Sequence, residues 1–124
     1  MHDKLLCESD YRFMDVIWSN EPVGSTELVK LCDRELGWKK STTYTMLRKM
    51  CENGFAHNEN AVVTSAVPKS SVQRKESELF INRDFGGSLP GFLVSFFGGK
   101  TISVDEAEEL KKLIDSYKSE GSGR

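Results

Sequence analysis

The chain has few of the side chains that hold metal ions. Its 124 residues include three cysteines and two histidines, and the cysteines at positions 7, 32 and 51 show no paired spacing. A metal site would need Cys-x-Cys or Cys-x-x-Cys pairs, or histidines at short helical spacing. We therefore expect three reduced thiols, no metal site and no cofactor.

The residue patterns typical of active sites are also missing. No nucleophile is paired with a base, no two carboxylates have visibly distinct environments, and no glycine-rich loop lies between a strand and a helix. The pairs Gly86-Gly87 and Gly98-Gly99 are interpreted as hinges or helix caps. The sequence predicts a protein that is not an enzyme.

Long hydrophobic runs are absent as well. No apolar run approaches the ~20 residues needed to cross a bilayer, so we expect no membrane insertion. The apolar patch after residues 1–4 is too short for a secretion signal. With 38% hydrophobic residues, the chain is expected to fold as a soluble protein of the cytoplasm.

An excess of positive charge is missing overall, since the formal net charge is −2. Residues 38–50 nevertheless carry four bases and no acid. Only the surface that meets phosphate groups has to be basic in a nucleic-acid-binding protein. The local charge therefore leaves DNA binding open despite the acidic total.

Residues 37–54 are predicted to form one short helix with the polar, basic leading half of a DNA recognition helix. Leu47 and Met50 have the spacing of its buried face, and Asn53-Gly54 supplies left-handed residues that end it. The N-terminal cap is expected to be Ser41 or Thr42. The opposite face is left for a partner: Ser41, Tyr44, Thr45 and Arg48.

Eight residues in and just before this helix are predicted to contact double-stranded DNA: Lys39, Lys40, Ser41, Thr42, Tyr44, Thr45, Arg48 and Lys49. Tyr44 and Thr45 are expected to reach bases or sugars, and Arg48 a phosphate or a guanine edge. The three lysines are expected to anchor phosphate, above all Lys40, because it adjoins the helix N-terminus. The alternative is an ordinary solvated helix face.

Two further helices are predicted before the recognition helix. The first begins with a Ser9 cap and ends before Asn20-Glu21-Pro22, and its apolar residues recur every three to four positions. The second begins near Gly24 or Ser25 and ends at Gly37, which is expected to be its C-terminal cap. The two tryptophans are interpreted as core residues.

Two short strands are predicted after the recognition helix. The β-compatible runs are residues 55–57 and 61–67, on either side of a turn-like segment at 58–60. Pro68 ends the second run. Three helices followed by a hairpin predict a winged helix-turn-helix domain at residues 1–68.

The remainder is predicted to be helical, which makes the fold mainly α with a small β-hairpin. A long helix should run from about Ser70 to the glycine pair at 86–87, a second should be capped by Ser88, and a third should span Val104 to Tyr117. Residues 69–118 form the predicted helical dimerisation domain, and residues 119–124 a frayed tail.

This second domain has more apolar surface than it can bury within itself. Segment 89–97 is so rich in phenylalanine and aliphatic residues that an identical copy is the simplest cover, which predicts a two-fold homodimer. A small-molecule pocket among the phenylalanines is the alternative. The residues assigned to the dimer interface are Leu79, Phe80, Phe85, Leu89, Phe92, Leu93, Phe96, Phe97, Leu110, Leu113, Ile114 and Tyr117.

These segments together resemble the penicillinase-repressor family, the BlaI/MecI/CopY-like winged-helix transcriptional repressors. The resemblance covers nearly the whole chain. It rests on the order and spacing of four segments: Met14-Asp15-Val16-Ile17-Trp18, Ser25-Thr26-Glu27-Leu28, Gly37-Trp38 through Asn53-Gly54, and Asp84-Phe85-Gly86-Gly87-Ser88-Leu89. It implies a homodimeric repressor on a palindromic operator, released in an antibiotic response when a membrane sensor protease is activated and the repressor is cut.

The resemblance also implies a cleavage site. In the family the cut falls before a phenylalanine in the helix after the Gly-Gly-Ser junction, which corresponds here to Ser95-Phe96. Such a cut would destroy the shared core of the dimer. The alternatives are a winged-helix protein-interaction module, or a weakened paralogue without a sensor protease.

The chain departs from the family pattern at several positions. Ser95 stands where the family usually has asparagine, and Thr43 and Lys49 replace a valine and an arginine in the recognition helix. The segment 58–67 carries Glu59 as its only charge, where a cation-rich wing is expected. No cysteine follows Cys51, so the paired Cys-x-Cys motifs of the copper-responsive branch are missing.

Overall fold

The structure is a computed structural model that describes residues 6–119. Its elements in chain order are α1 (Glu8–Asn20), β1 (Val23–Gly24), α2 (Ser25–Leu36), α3 (Lys40–Glu52), β2 (Ala56–Glu59), β3 (Val62–Ser65), α4 (Lys69–Phe85), α5 (Leu89–Phe97) and α6 (Val104–Ser116). The predicted winged helix-turn-helix with a helical C-terminal region is confirmed. Except for Ser119, the predicted frayed tail lies outside the described residues, as do residues 1–4.

The chain divides into two compact units, one up to Phe80 and one from Ile81. In the first unit, α1, α2 and α3 each turn one apolar face toward a common core because their apolar residues recur at helical spacing. The ring of Phe13 in α1 stacks on Trp38 with centroids 5.8 Å apart. The core consists of Phe13, Met14, Val16, Ile17, Val23, Leu28, Leu31, Cys32, Leu47, Met50, Phe55, Ala56, Val63 and Val72.

A three-stranded antiparallel sheet covers one side of this core, in the order β1-β3-β2. Strands β2 and β3 are joined by Asn60 and Ala61, both with positive φ (54° and 63°). Two left-handed residues form the tight turn that matches the twist of a hairpin. The predicted turn at 58–60 is therefore displaced, since Asn58 and Glu59 belong to β2. Strand β1 was not predicted, because two residues carry no alternating pattern.

The predicted N-terminal caps of two helices are wrong. Helix α1 begins at Glu8 after Cys7, so Ser9 lies inside its first turn. Helix α3 begins at Lys40, and its N-terminal flanking residue Lys39 makes no side-chain capping bond. Ser41 and Thr42 therefore lie in the first turn of α3. Tertiary packing of the buried stripe overrode the local capping preference.

The C-terminal ends agree better with the sequence. Gly37, with φ of 71°, ends α2 as predicted, and its N–H donates to the carbonyl oxygen of Asp33. After α3, Gly54 has φ of 85°, but Asn53 has φ of −88° and is not left-handed. Only glycine takes up the left-handed region there, where a side chain would cost energy.

The beginning of α4 is held against α1. The indole Nε1 of Trp18 donates to the carbonyl oxygen of Val67 at 2.9 Å. The Lys69 ammonium lies 2.8 Å from Asp15 Oδ1, and the carboxylate raises the pKa of Lys69. Helix α4 therefore starts from a defined position on the winged unit. Both tryptophans pack with the core, as predicted.

The second unit contains the end of α4, together with α5 and α6. Ser88 caps α5 as predicted, accepting a hydrogen bond from the Gly91 N–H at 2.8 Å. Ser103 caps α6 in the same way through the Glu106 N–H at 3.0 Å. None of residues 81–119 is buried. No helix within the described part of the chain is long and apolar enough to span a membrane.

Candidate nucleic-acid interface

Helix α3 has one buried face and one exposed face. Thr43, Leu47 and Met50 fall at spacings of four and three residues and are 0–2% exposed. The remaining faces carry the residues that the sequence assigned to DNA. Lys39, Lys40, Ser41, Thr42, Thr45, Arg48 and Lys49 are exposed, and Tyr44 is half-buried. The structure thus brings all eight together on α3 and the residue before it.

The N-terminus of α3 is electrostatically suited to an anion. Its first turn contains no acid, and Lys39 and Lys40 lie at its start. The free N–H groups of a helix N-terminus carry a partial positive charge that attracts phosphate. With no side-chain cap on these groups, the backbone and the two ammonium groups point to the same kind of partner.

An open groove lies between α3 and β2, the first strand of the β2–β3 hairpin that forms the wing. The thiol of Cys51 is half-buried there, and its burial, together with the charge of Glu52, raises its pKa. The thiol is therefore neutral at physiological pH and adds no negative charge beside the exposed helix face. The groove is lined by Tyr44, Leu47, Arg48, Cys51, Ala56, His57, Asn58 and Glu59.

The second unit presents an apolar surface. The rings of Phe85, Phe92, Phe96 and Phe97 follow one another at centroid distances of 5.4, 5.9 and 5.4 Å. The Lys100 ammonium lies 4.6 Å from the centre of the Phe96 ring. Of the residues assigned to the dimer interface, the exposed ones are Leu79, Phe80, Leu89, Phe96, Leu113, Ile114 and Tyr117, and the half-buried ones are Phe85, Phe92, Leu93, Phe97 and Leu110.

The model of the penicillinase repressor family matches residues 6–116. The chain belongs to the penicillinase repressor family. It is 25% identical to the penicillinase repressor of Bacillus licheniformis over 118 residues, covering 92% of each chain. It is 22% identical to the methicillin resistance regulatory protein MecI of Staphylococcus epidermidis, covering 89% of this chain and 93% of the relative. The penicillinase repressor of Staphylococcus aureus is 19% identical over 111 residues.

Membership in this repressor family makes the protein a DNA-binding transcriptional repressor. The exposed face of α3 is the candidate DNA-binding surface. Among residues 6–119, no three His, Cys, Asp or Glu side chains are grouped so that they could hold a metal ion.

Sequence reasoning missed one residue that meets the recognition helix. Asp10 in α1 is buried, and its Oδ1 lies 3.2 Å from the Lys49 ammonium. Asp10 lies three and four residues before Phe13 and Met14, so it falls on the apolar stripe of α1. An acid on an apolar stripe is the signal that predicts a buried ion pair, although it does not name the partner.

The buried face of the recognition helix contains one polar side chain, Thr43. The Thr43 hydroxyl is buried and, within the described residues, Oγ1 has no hydrogen-bond partner of good geometry. It neighbours the Cys32 thiol. Burial raises the pKa of Cys32 to about 11, and the Thr43 hydroxyl offsets a part of that rise. A neutral thiol is a weak hydrogen-bonding group. The Thr43 hydroxyl is therefore a weakly bonded polar group in the interior.

We expect Thr43→Val to raise the free energy of unfolding by about 1 kcal/mol, because it removes a poorly bonded hydroxyl and keeps the side-chain shape. Urea denaturation followed by circular dichroism measures the change. The matched control is Thr45→Val on the exposed face, which should leave stability within about 0.5 kcal/mol. A loss of stability in Thr43→Val would show that the hydroxyl makes a favourable bond.

Proposed function

We propose that this repressor acts as a homodimer that binds a palindromic operator through the α3 helix of each protomer. The observation that carries the proposal is the exposed, acid-free and basic leading half of a helix whose other face is fixed in the core. In the proposal, Tyr44 and Thr45 reach bases or sugars, and Arg48 reaches a phosphate or a guanine edge. Ser41 and Thr42 face the same groove of the DNA.

Dimerisation is supported by the second unit. Residues 81–119 contain no buried side chain in the protomer although they are rich in phenylalanine and leucine. A contiguous apolar surface of this kind marks a protein contact in a soluble protein. Closed two-fold symmetry would cover that surface and would present two recognition helices to the two half-sites of an inverted repeat. Residues 69–118 are accordingly proposed as the dimerisation domain.

Release is proposed to follow cleavage of the Ser95-Phe96 bond by a membrane sensor protease. Both residues are exposed on α5. The names of two relatives refer to penicillinase and to methicillin resistance. These names support an antibiotic as the signal that activates the proposed protease. A cut would divide α5 between the rings of Phe92 and Phe96, which lie 5.9 Å apart. The dimer would lose part of its shared surface.

Operator binding tests the proposal directly. The purified protein should bind a labelled inverted-repeat fragment from its own promoter, as measured by fluorescence anisotropy. If Lys39 and Lys40 of both protomers displace counterions, affinity should fall about 100-fold between about 50 and 200 mM salt. A duplex of equal length with one half-site scrambled is the control. Absent or salt-insensitive binding would favour a winged-helix module that docks a protein.

The wing is proposed to contribute little to this binding. Its tip is exposed but carries Glu59 as the only charge in segment 58–67. An anion at that position repels phosphate, and no cation there compensates for it. The recognition helix must then supply most of the electrostatic affinity. The lack of cations in segment 58–67 is the observation that favours a weakened paralogue as the second candidate.

A further inference from the structure

We propose that Lys49 is a positioning residue, whose ammonium group fixes the recognition helix to α1 through Asp10 instead of anchoring a DNA phosphate. This inference rests on the proposed function, in which α3 reads the operator. It divides the four cations of segment 38–50 into two kinds. Lys39, Lys40 and Arg48 remain available to DNA, and Lys49 serves the orientation of the helix.

Asp10 is held rigidly. It is the third residue of α1, where a carboxylate is favoured by the positive end of the helix dipole. The same helix is anchored by Phe13, Met14 and Ile17, which are fully buried. The Asp10 side chain is only 7% exposed, so its charge needs a partner. The Lys49 ammonium, 3.2 Å away, supplies that partner.

Lys49 could reach a phosphate only by leaving Asp10. That movement would leave the nearly buried Asp10 carboxylate unpaired. The unpaired carboxylate would then lie close to the negative DNA backbone. Losing one partner of such a pair is much more costly than losing an exposed ion pair. Lys49 is itself 50% exposed, but its charge is already neutralised by Asp10. The ion pair therefore presents little net charge to DNA.

In this proposal the pair restrains the rotation of α3 about its own axis. Lys49, Thr45 and Thr42 are separated by four and three residues, so they lie along one face of the helix. The same three residues line one shallow depression, together with Ser41 and Met46. Fixing Lys49 therefore fixes the direction in which the two threonines point.

Helix α1 holds the recognition helix at both ends. Just before α3, Trp38 stacks on Phe13 of α1 with nearly parallel rings. In the last turn of α3, Lys49 meets Asp10 of the same helix. The buried face of α3 limits its rotation, and these two contacts with α1 restrain it further.

The test compares Asp10→Asn, Lys49→Met and the double variant in operator binding over a series of salt concentrations. We expect each single variant to weaken binding about tenfold, and the double variant to be no weaker than either, because contacting residues are energetically coupled. The slope of log affinity against log salt should equal that of the wild type in the double variant, whose net charge is unchanged.

A phosphate contact by Lys49 gives a different result. The slope would then fall by about two units per dimer in both variants that lack Lys49, since each protomer would lose one displaced counterion. Asp10→Asn would strengthen binding by freeing the lysine. Either of these outcomes, or additive losses in the double variant, would overturn the proposal.

Two further variants separate this inference from the proposed function and from a failure to fold. Lys40→Met removes a predicted phosphate contact and should lower the slope by about two units per dimer. Lys49→Arg keeps the charge opposite Asp10 and should restore wild-type affinity. If the wild type shows no salt-dependent operator binding, the proposed function fails; if Lys40→Met lowers the slope and Lys49→Met lowers it equally, only the inference fails.

Discussion

Replacing Phe96 with aspartate should convert the proposed dimer into monomers and weaken operator binding by about 10²- to 10⁴-fold, the factor gained when two linked half-sites bind together. Phe96 is 49% exposed, and its ring contacts the rings of Phe92 and Phe97. A carboxylate at this position would have to lose its water when two protomers meet. Burying an unpaired charge costs several kcal/mol, which is enough to prevent association.

Sedimentation equilibrium measures this change in mass, and anisotropy measures the loss of operator affinity. Val104→Asp is the matched control, because Val104 is an apolar residue of the same unit that is 77% exposed and lies outside the assigned interface. This control should remain dimeric and bind normally. An unchanged sedimentation mass in Phe96→Asp would remove α5 from the dimer interface.

Arg48→Ala should weaken operator binding by about ten- to a hundredfold without affecting dimerisation. Arg48 is exposed on α3, and a bidentate contact from arginine to guanine contributes about 1–3 kcal/mol of discrimination. If Arg48 reads a guanine, the variant should also accept substitutions at one operator position. If it binds phosphate, it should weaken binding to all sequences and lower the salt slope.

Lys40→Ala belongs to the same prediction, with an effect that is uniform across operator sequences. It should reduce the salt slope and leave sequence preference unchanged, since a phosphate contact carries no sequence information. Lys112→Ala, which removes an exposed lysine from α6, is the matched control and should change neither quantity. Normal binding by both Arg48→Ala and Lys40→Ala would show that α3 is not the recognition helix.

The sequence predicted the parts of the fold that depend on repeated spacing. Buried positions of α3 such as Leu47 and Met50 follow from helical periodicity, because a helix buries one face. The caps at Gly37 and Ser88 follow from local chemistry, since each satisfies backbone groups that the helix leaves free. These features need only neighbouring residues and can therefore be read from a short window.

Features that depend on distant partners could not be predicted in this way. Strand β1 exists because Val23 pairs with Val63, which lies forty positions along the chain. Helix α3 begins at Lys40 and buries Thr43 against the rest of the domain, so that Ser41 and Thr42 lie inside its first turn and not at the cap. The charge pattern likewise grouped Lys49 with the other lysines, because the sequence does not reveal that Asp10 faces it. The DNA contacts themselves stay predictions.

The separation of the two faces of α3 has a consequence for the evolution of regulatory networks. Leu47 and Met50 pack in the core, whereas Thr42 and Thr45 point to solvent. Substitutions at exposed positions away from special features usually change stability by less than about 0.5 kcal/mol. After gene duplication, such a repressor can acquire a new target promoter through a few surface changes, while the scaffold stays under separate selection.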